Sequence, residues 1–130
     1  MHRYQMSKSK VSKVLEKYRL KNVSVPIVVE GRNDMQCLRE IGFPGEIIIL
    51  NSGNGLLPFS EKLSHDYGEI ILLTDFDRKG VDLKNNLKAY MHGSGCTVDT
   101  YLWEIIRRYV PIRTVEELPF AIKRIEDINK

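Results

Sequence analysis

Two short acidic motifs stand where chemistry is possible. The first is Glu30-Gly31, directly after the apolar run Val25-Pro26-Ile27-Val28-Val29. The second is Asp75-x-Asp77-x-x-Gly80, which follows Ile70-Ile71-Leu72-Leu73 and Thr74. Two unit charges ~4 Å apart repel by ~4 kcal/mol at an effective dielectric of ~20. Three carboxylates brought to one point therefore need a cation or a proton. Hard oxygen donors of this kind select Mg²⁺, with Mn²⁺ as a substitute. The D-x-D-x-x-G spacing alone arises by chance in roughly 3% of chains this long, so its weight comes from context: a buried run before it and a matching Glu-Gly pair after an earlier run. The bland alternative is that Asp75 and Asp77 only cap the helix that follows. Arg32, Arg78 and Lys79 flank the acids and could hold neighbouring phosphates, or be ordinary surface charge. The turn Asn51-Ser52-Gly53-Asn54-Gly55 could offer backbone N–H groups to a phosphate, or simply join a strand to a helix.

The elements that must position these residues are read from periodicity. Val25–Val29, Ile47–Leu50 and Ile70–Leu73 are short, continuous, β-branched runs, the pattern of strands covered on both faces. Thr97–Leu102 alternates and predicts a fourth strand at an edge. Val11, Val14, Leu15 and Tyr18 form one stripe of an N-terminal helix. Met35, Leu38 and Ile41 are the inner face of a second helix, capped by Asn33 or Asp34 and stopped at Gly42. A third runs from about Leu57 to Ser64 with Pro58 in its first turn. Leu83, Leu87, Tyr90 and Met91 give the inner face of a fourth. Trp103–Val110 is a short helix stopped by Pro111. Thr114-x-x-Glu117 has the form of a capping box, and Leu118, Ile122, Ile125 and Ile128 are the last stripe, with Pro119 interrupting or restarting it. Strands alternating with helices imply parallel pairing and right-handed crossovers. The fold class is α/β, an open three-layer sandwich. Ligands bind such sheets beyond the carboxyl ends of the strands, where Glu30, Asp75 and Asp77 meet provided the first and third strands are neighbours.

Length and composition bound the rest. The chain has 130 residues, 42% hydrophobic and 28% charged, with a net charge of +3. This is an ordinary globular balance that excludes global disorder and a disulfide scaffold. Cys37 and Cys96 are read as free packed thiols, with one disulfide between them as the lesser alternative. His2, His65 and His92 show no ligand spacing, and Ser52 sits in no nucleophile elbow. No apolar run approaches a membrane span and no secretory leader precedes the first helix, so the expected compartment is the cytoplasm, with no membrane partner. Charge is uneven. Residues 1–22 carry seven basic residues against Glu16 alone, a net of +6, which leaves −3 on residues 23–130. A basic helix on a mildly acidic body suggests contact with a polyanion through Lys10, Lys13 and Lys17, or a solvated face without a partner.

Val28-Val29-Glu30-Gly31 followed by Leu73-Thr74-Asp75-Phe76-Asp77-Arg78-Lys79-Gly80 resembles the Toprim domain. That domain is shared by type IA topoisomerases, bacterial primases, old-type nucleases and the ribonuclease that matures 5S ribosomal RNA. The resemblance covers about residues 25–105, and the chain is similar in size to small stand-alone archaeal Toprim proteins. It implies a four-stranded parallel sheet sandwiched by helices, residues 23–130 being that domain with a C-terminal helical extension. By the same resemblance Glu30 is the general acid or base, or a ligand. Asp75 and Asp77 hold one or two Mg²⁺ ions, and Gly31 and Gly80 let the backbone pass close to the site. Val81 departs from the acid that topoisomerases often place there, which argues against strand passage.

Three functions compete at this level. One is a Mg²⁺-dependent nuclease acting on structured RNA, with RNA favoured over DNA. The second is a nucleotidyl-transfer module working with a replication or repair protein, or a ribosomal one. The third is a nucleic-acid-binding protein without catalysis.

Overall fold

The computed structural model describes residues 3–50, 53 and 55–128, side chains from residue 8 to residue 126. The element order is α1 (Arg3–Lys21), β1 (Ile27–Val29), α2 (Arg32–Glu40), β2 (Ile47–Ile49), α3 (Leu56–Asp66), β3 (Glu69–Leu72), α4 (Arg78–Met91), β4 (Thr97–Asp99), α5 (Tyr101–Tyr109), a 3₁₀ turn over Val115–Glu117 and α6 (Leu118–Ile128). The four strands form one parallel sheet in the order β2-β1-β3-β4. The chain leaves β1 toward one edge and returns to the other side of β1 at β3. The strand order therefore reverses between β1 and β3, the place where open α/β sheets make a crevice.

The apolar runs lie continuous in sequence because both faces of the sheet are covered. Ile27, Val29, Ile71 and Leu73 point into a cluster with α1, α2, α5 and α6. Val28, Ile70 and Leu72 point the other way, into a cluster with Leu63 of α3 and Leu87 and Met91 of α4. Alternate residues thus serve alternate cores, the period-2 geometry of a strand. In α1, Val11, Val14, Leu15 and Tyr18 are buried as predicted. Cys37 and Cys96 are free thiols. No helix among the described residues is long and apolar enough to cross a membrane.

Three expectations are corrected. β4 is an edge strand, but it ends at Asp99 and not at Leu102. The Asp99 carboxylate accepts the Tyr101 N–H at 2.9 Å, a local turn that starts α5 two residues earlier than expected. In α4 the buried face is Lys84, Leu87 and Met91, while Tyr90 is exposed. An amine can sit there because Lys84 Nζ lies 4.3 Å from the Trp103 ring centre and pairs with Glu104 at 3.2 Å. The N-cap of α2 is Gly31; Asp34 instead accepts the Gly31 N–H at 3.0 Å from the third helical position. Elsewhere Gly42 has φ 92° at the end of α2, and Thr114 and Glu117 form their capping box. Pro119 stands in the first turn of α6, where a missing N–H is harmless. The Ile128 side chain lies outside the described residues.

Asn22 fastens α1 to the sheet. It is buried, its Nδ2 donates to Val25 O at 3.0 Å and Glu46 O at 3.1 Å, and its Oδ1 accepts the Gly45 N–H at 2.8 Å. A Cβ on Gly45 would fall 1.7 Å from Asn22 O, so the two chains touch there backbone to backbone. Asn22→Ala leaves these three main-chain groups without their partner and should cost about 3 kcal/mol. Urea unfolding measures it, and a loss under about 1 kcal/mol would mean that α1 is held by its apolar stripe alone.

Candidate functional site

The ladder between β1 and β3 positions the first acid. In register, Ile71 N–H donates to Pro26 O at 2.8 Å and Leu73 N–H to Val28 O at 2.9 Å. The next donor in that series, Asp75 N–H, goes to the side chain of Glu30, at 2.7 Å from Oε2. A carboxylate thus takes the place of a main-chain carbonyl at the end of the sheet. Asp75 is fixed from another direction: its Oδ1 accepts Val115 N–H at 2.8 Å, and the adjacent Phe76 N–H donates to Arg113 O at 2.8 Å. Asp77 is the N-cap of α4 and accepts Gly80 N–H at 2.8 Å.

Glu30, Asp75 and Asp77 are therefore brought to one rim, and each keeps one oxygen on a backbone N–H. Burial pushes the Glu30 carboxyl up, and the Asp75 charge pushes it further, against the opposing pull of the Asp75 N–H and Lys79. Asp75 is likewise raised by burial, then by Asp77 and Glu116, against Val115 N–H and Lys79. Asp34 is raised by burial and by Asp75 and Glu116. The rim is a crowded acidic edge with Lys79 as its compensating cation.

The donor chemistry suits a hard divalent cation, because each of the three predicted acids has one oxygen outside its backbone bond. Among the described residues no three His, Cys, Asp or Glu side chains are already gathered into a metal cluster. The three acids share one edge, each with one oxygen turned toward its own backbone donor. Capping, the bland alternative, describes Asp77 and not Asp75.

The other predicted residues divide. The Arg78 side chain is almost fully exposed and lies 3.9 Å from Asp82. Arg32 is exposed on the first turn of α2. Gly53 is exposed, while Asn51 and Ser52 lie outside the described residues. Lys10, Lys13 and Lys17 are exposed on α1. Gly80 has a steric duty: a Cβ there would fall 1.9 Å from Asp75 O, so α4 starts in contact with the backbone of the site. Gly31 has none, its nearest neighbour to a Cβ being Asp34 Oδ2 at 3.9 Å.

Sequence reasoning places Trp103 in the core but misses its contact at the rim, and it misses Thr74 and the 113–115 segment. Trp103 is fully buried, packs 5.4 Å from Phe76 and donates from Nε1 to Thr74 O at 3.0 Å. Thr74 Oγ1 donates to Gly80 O at 2.8 Å. The lone Trp, seven residues beyond the last apolar position of the fourth helix's exit loop at Cys96, carried no local signal of this contact.

No family model matches the sequence. The chain is 52% identical over 111 residues to a UPF0292 protein of Thermoplasma volcanium, covering 85% of this chain and 93% of that protein. The UPF0292 protein of Methanocaldococcus jannaschii is 32% identical over 84% of this chain and 87% of its own length. The chain belongs to the UPF0292 family. Thermococcus onnurineus has a relative at 38% identity over 77% of this chain and 75% of its own. Among solved structures, a protein from Aquifex aeolicus superposes with a TM-score of 0.69 at 24% identity, over 82% of this chain and 95% of that one. That likeness concerns the fold.

Two predictions follow from the packing and charge of this rim. Gly80→Ala should lose about 2–3 kcal/mol by forcing α4 off Asp75, while Gly31→Ala should stay within about 1 kcal/mol; paired chemical unfolding compares them. A carboxyl raised on folding carries no penalty at low pH, where both states are protonated, and its penalty grows as pH rises through the unfolded and then the folded pKa. Glu30→Gln keeps an acceptor for Asp75 N–H and removes the charge. It should melt above the parent protein at about pH 8 and lose that advantage near pH 4, below the ordinary Glu pKa of ~4.3. Calorimetry at the two pH values reads the difference, and an advantage that is larger at the acid end would refute the crowding.

Proposed function

We propose that this chain is a Toprim-type, Mg²⁺-dependent phosphodiester-cleaving enzyme acting on nucleic acid, with structured RNA as the favoured substrate. The observation that carries the reading is the Glu30 Oε2 to Asp75 N–H bond of 2.7 Å, which joins the two motifs at the point where the strand order reverses. The order of the motifs and their positions at the ends of β1 and β3 support it further.

Glu30, Asp75 and Asp77 would hold the cation, with Mn²⁺ as a substitute. A bound divalent ion supplies charge neutralisation at phosphate and activation of water. Glu30 is the residue suited to move a proton, since burial and Asp75 favour its protonated form above the ordinary Glu range. It would take a proton from an attacking water or give one to the departing oxygen. Asp75 is held at Oδ1 by Val115 N–H, which leaves Oδ2 outside that bond. Lys79, whose charge acts on both acids, would neutralise a nearby phosphate oxygen. Gly80 lets α4 begin against Asp75, and Asp77 anchors that start.

One observation favours a second reading, a nucleic-acid-binding protein without catalysis. Glu30 and Asp77 both do structural work as terminal acceptors, which would account for them without chemistry. The test separates the two. The purified protein is incubated with total RNA and with single- and double-stranded DNA, with and without Mg²⁺. Cleavage should require Mg²⁺ and fall by about 10²-fold or more in Glu30→Gln and Asp75→Asn. In parallel, Mg²⁺ should raise the melting temperature of the parent protein and not that of Asp75→Asn. Binding of nucleic acid without metal-dependent cleavage or metal-dependent stabilisation would replace the first reading by the second.

A further inference from the structure

The second charged feature of the molecule lies on α1 and α5, which pack against each other. Of the cations on α1, Arg19 is paired with Glu126 at 2.9 Å and Lys21 with Glu69 at 2.7 Å and with Asp99. Lys10, Lys13 and Lys17 have no carboxylate within ion-pair distance among the described residues, and neither do Arg107 and Arg108 on α5. The acids on the exposed parts of these helices are Glu16 and Glu104, and Glu104 is taken by Lys84. Positive charge therefore accumulates along one pair of helices, with Glu16 as the one acid of these two helices left to offset it among the described residues.

Aromatic rings order that charge. Lys10 Nζ lies 5.9 Å from the centre of the Tyr109 ring, and the Arg108 guanidinium 5.5 Å from the same ring. Lys17 Nζ lies 5.7 Å from the Tyr101 ring and 5.9 Å from Tyr18, and the two tyrosine rings stack at 6.4 Å. Tyr101 is 44% exposed. Lys10, Lys13 and Lys17 fall on one helical stripe whose ends are about 10 Å apart. At exposed sites a cation–π contact is worth only about 0.5–1 kcal/mol, yet it holds a long side chain near one place and so lowers the ordering cost of binding. The seam also leads to the acidic rim. Tyr109 ends α5, and four residues later Arg113 O accepts Phe76 N–H beside Asp75. Four residues span at most about 14 Å.

We infer that the α1–α5 seam is the docking surface for a single-stranded nucleic acid, its backbone on Lys10, Lys13, Lys17 and Arg108 and a base on the open part of Tyr101. A row of cations interleaved with rings accepts a strand whose bases are unpaired, because stacking needs a free base face. A duplex offers the charge without the face. The inference rests on the reading of the rim as a nucleic-acid enzyme and deepens it by naming where the strand lies and that the part bound is an unpaired segment of a structured RNA.

The experiment reads binding alone, in EDTA, so that the presence or absence of cleavage does not enter. A fluorescein-labelled oligouridylate and a duplex RNA of equal length are titrated by anisotropy over a range of salt. The parent protein should prefer the single strand. The triple variant K10A/K17A/R108A should make the slope of log K against log salt shallower by about 2, three contacts at about 0.7 each. A control triple, K62A/K88A/K123A, removes the same charge elsewhere and should leave the slope unchanged. Tyr101→Leu should weaken the single strand by about tenfold and the duplex little, and Tyr101→Phe should restore it. Equal effects of the two triples, a preference for duplex, or no effect of Tyr101→Leu would each overturn the inference. Seam-dependent binding without cleavage in the earlier test would leave this inference standing and remove the enzyme. Cleavage without seam dependence would do the reverse.

Discussion

The arrangement at the rim depends on one hydrogen bond, from the backbone of Asp75 to the side chain of Glu30. Parallel pairing supplies a donor from β3 at every second residue, and Pro26 and Val28 carbonyls meet the first two. At the third, the Glu30 side chain takes the donor. The exchange lets the main chain of β1 turn away into Gly31 and α2 while the sheet stays closed to the last pair. It also brings a carboxylate against the residue that carries another, Asp75. Backbone N–H groups from Asp75, Val115 and Gly80 offset the resulting repulsion only in part, since burial and mutual charge still leave Glu30 and Asp75 raised. The sheet is completed at the cost of an electrostatically unfavourable edge.

That edge is held from several sides. Trp103 grips the Thr74 carbonyl, Thr74 grips Gly80, and Arg113 and Val115 grip Phe76 and Asp75. Each partner belongs to a different element, so the end of β3 cannot shift without disturbing α4, α5 and the segment leading to α6. Burial of Trp103 against Phe76 lends these polar contacts a dry setting in which they are stronger. Positions fixed in this way suit groups that must act on a substrate without first being gathered.

The sheet was readable because its signal is local and repeated. Ile27-Val28-Val29 and Ile70-Ile71-Leu72 are apolar at every position since both faces are covered, and Val11, Val14, Leu15 and Tyr18 recur with the helical period. Errors arose where one side chain overruled a pattern. Asp99 turned an alternating run into a helix start, and Lys84 entered a core face because Trp103 and Glu104 received its amine. The acids were legible as a set, from their place after buried runs. Their individual hydrogen bonds were not, because these depend on register, and register joins residues 45 positions apart. The Val115 and Trp103 contacts were out of reach for the same reason.

Charge is segregated in this molecule, and the segregation has a consequence for binding. The acids of the rim have Lys79 as their near cation, while Lys10, Lys13 and Lys17 of α1 and Arg107 and Arg108 of α5 form no ion pair among the described residues. A polyanion lying on the seam and reaching the rim would be attracted at one end and repelled at the other. Whatever neutralises Glu30 and Asp75, a proton or a divalent cation, removes the repulsion and favours the polyanion. By linkage the polyanion then favours the neutralising species by the same factor. Two features that look independent along the sequence, a basic helix and a pair of acidic motifs, are in this way joined by Coulomb's law across the few residues from Tyr109 to Val115.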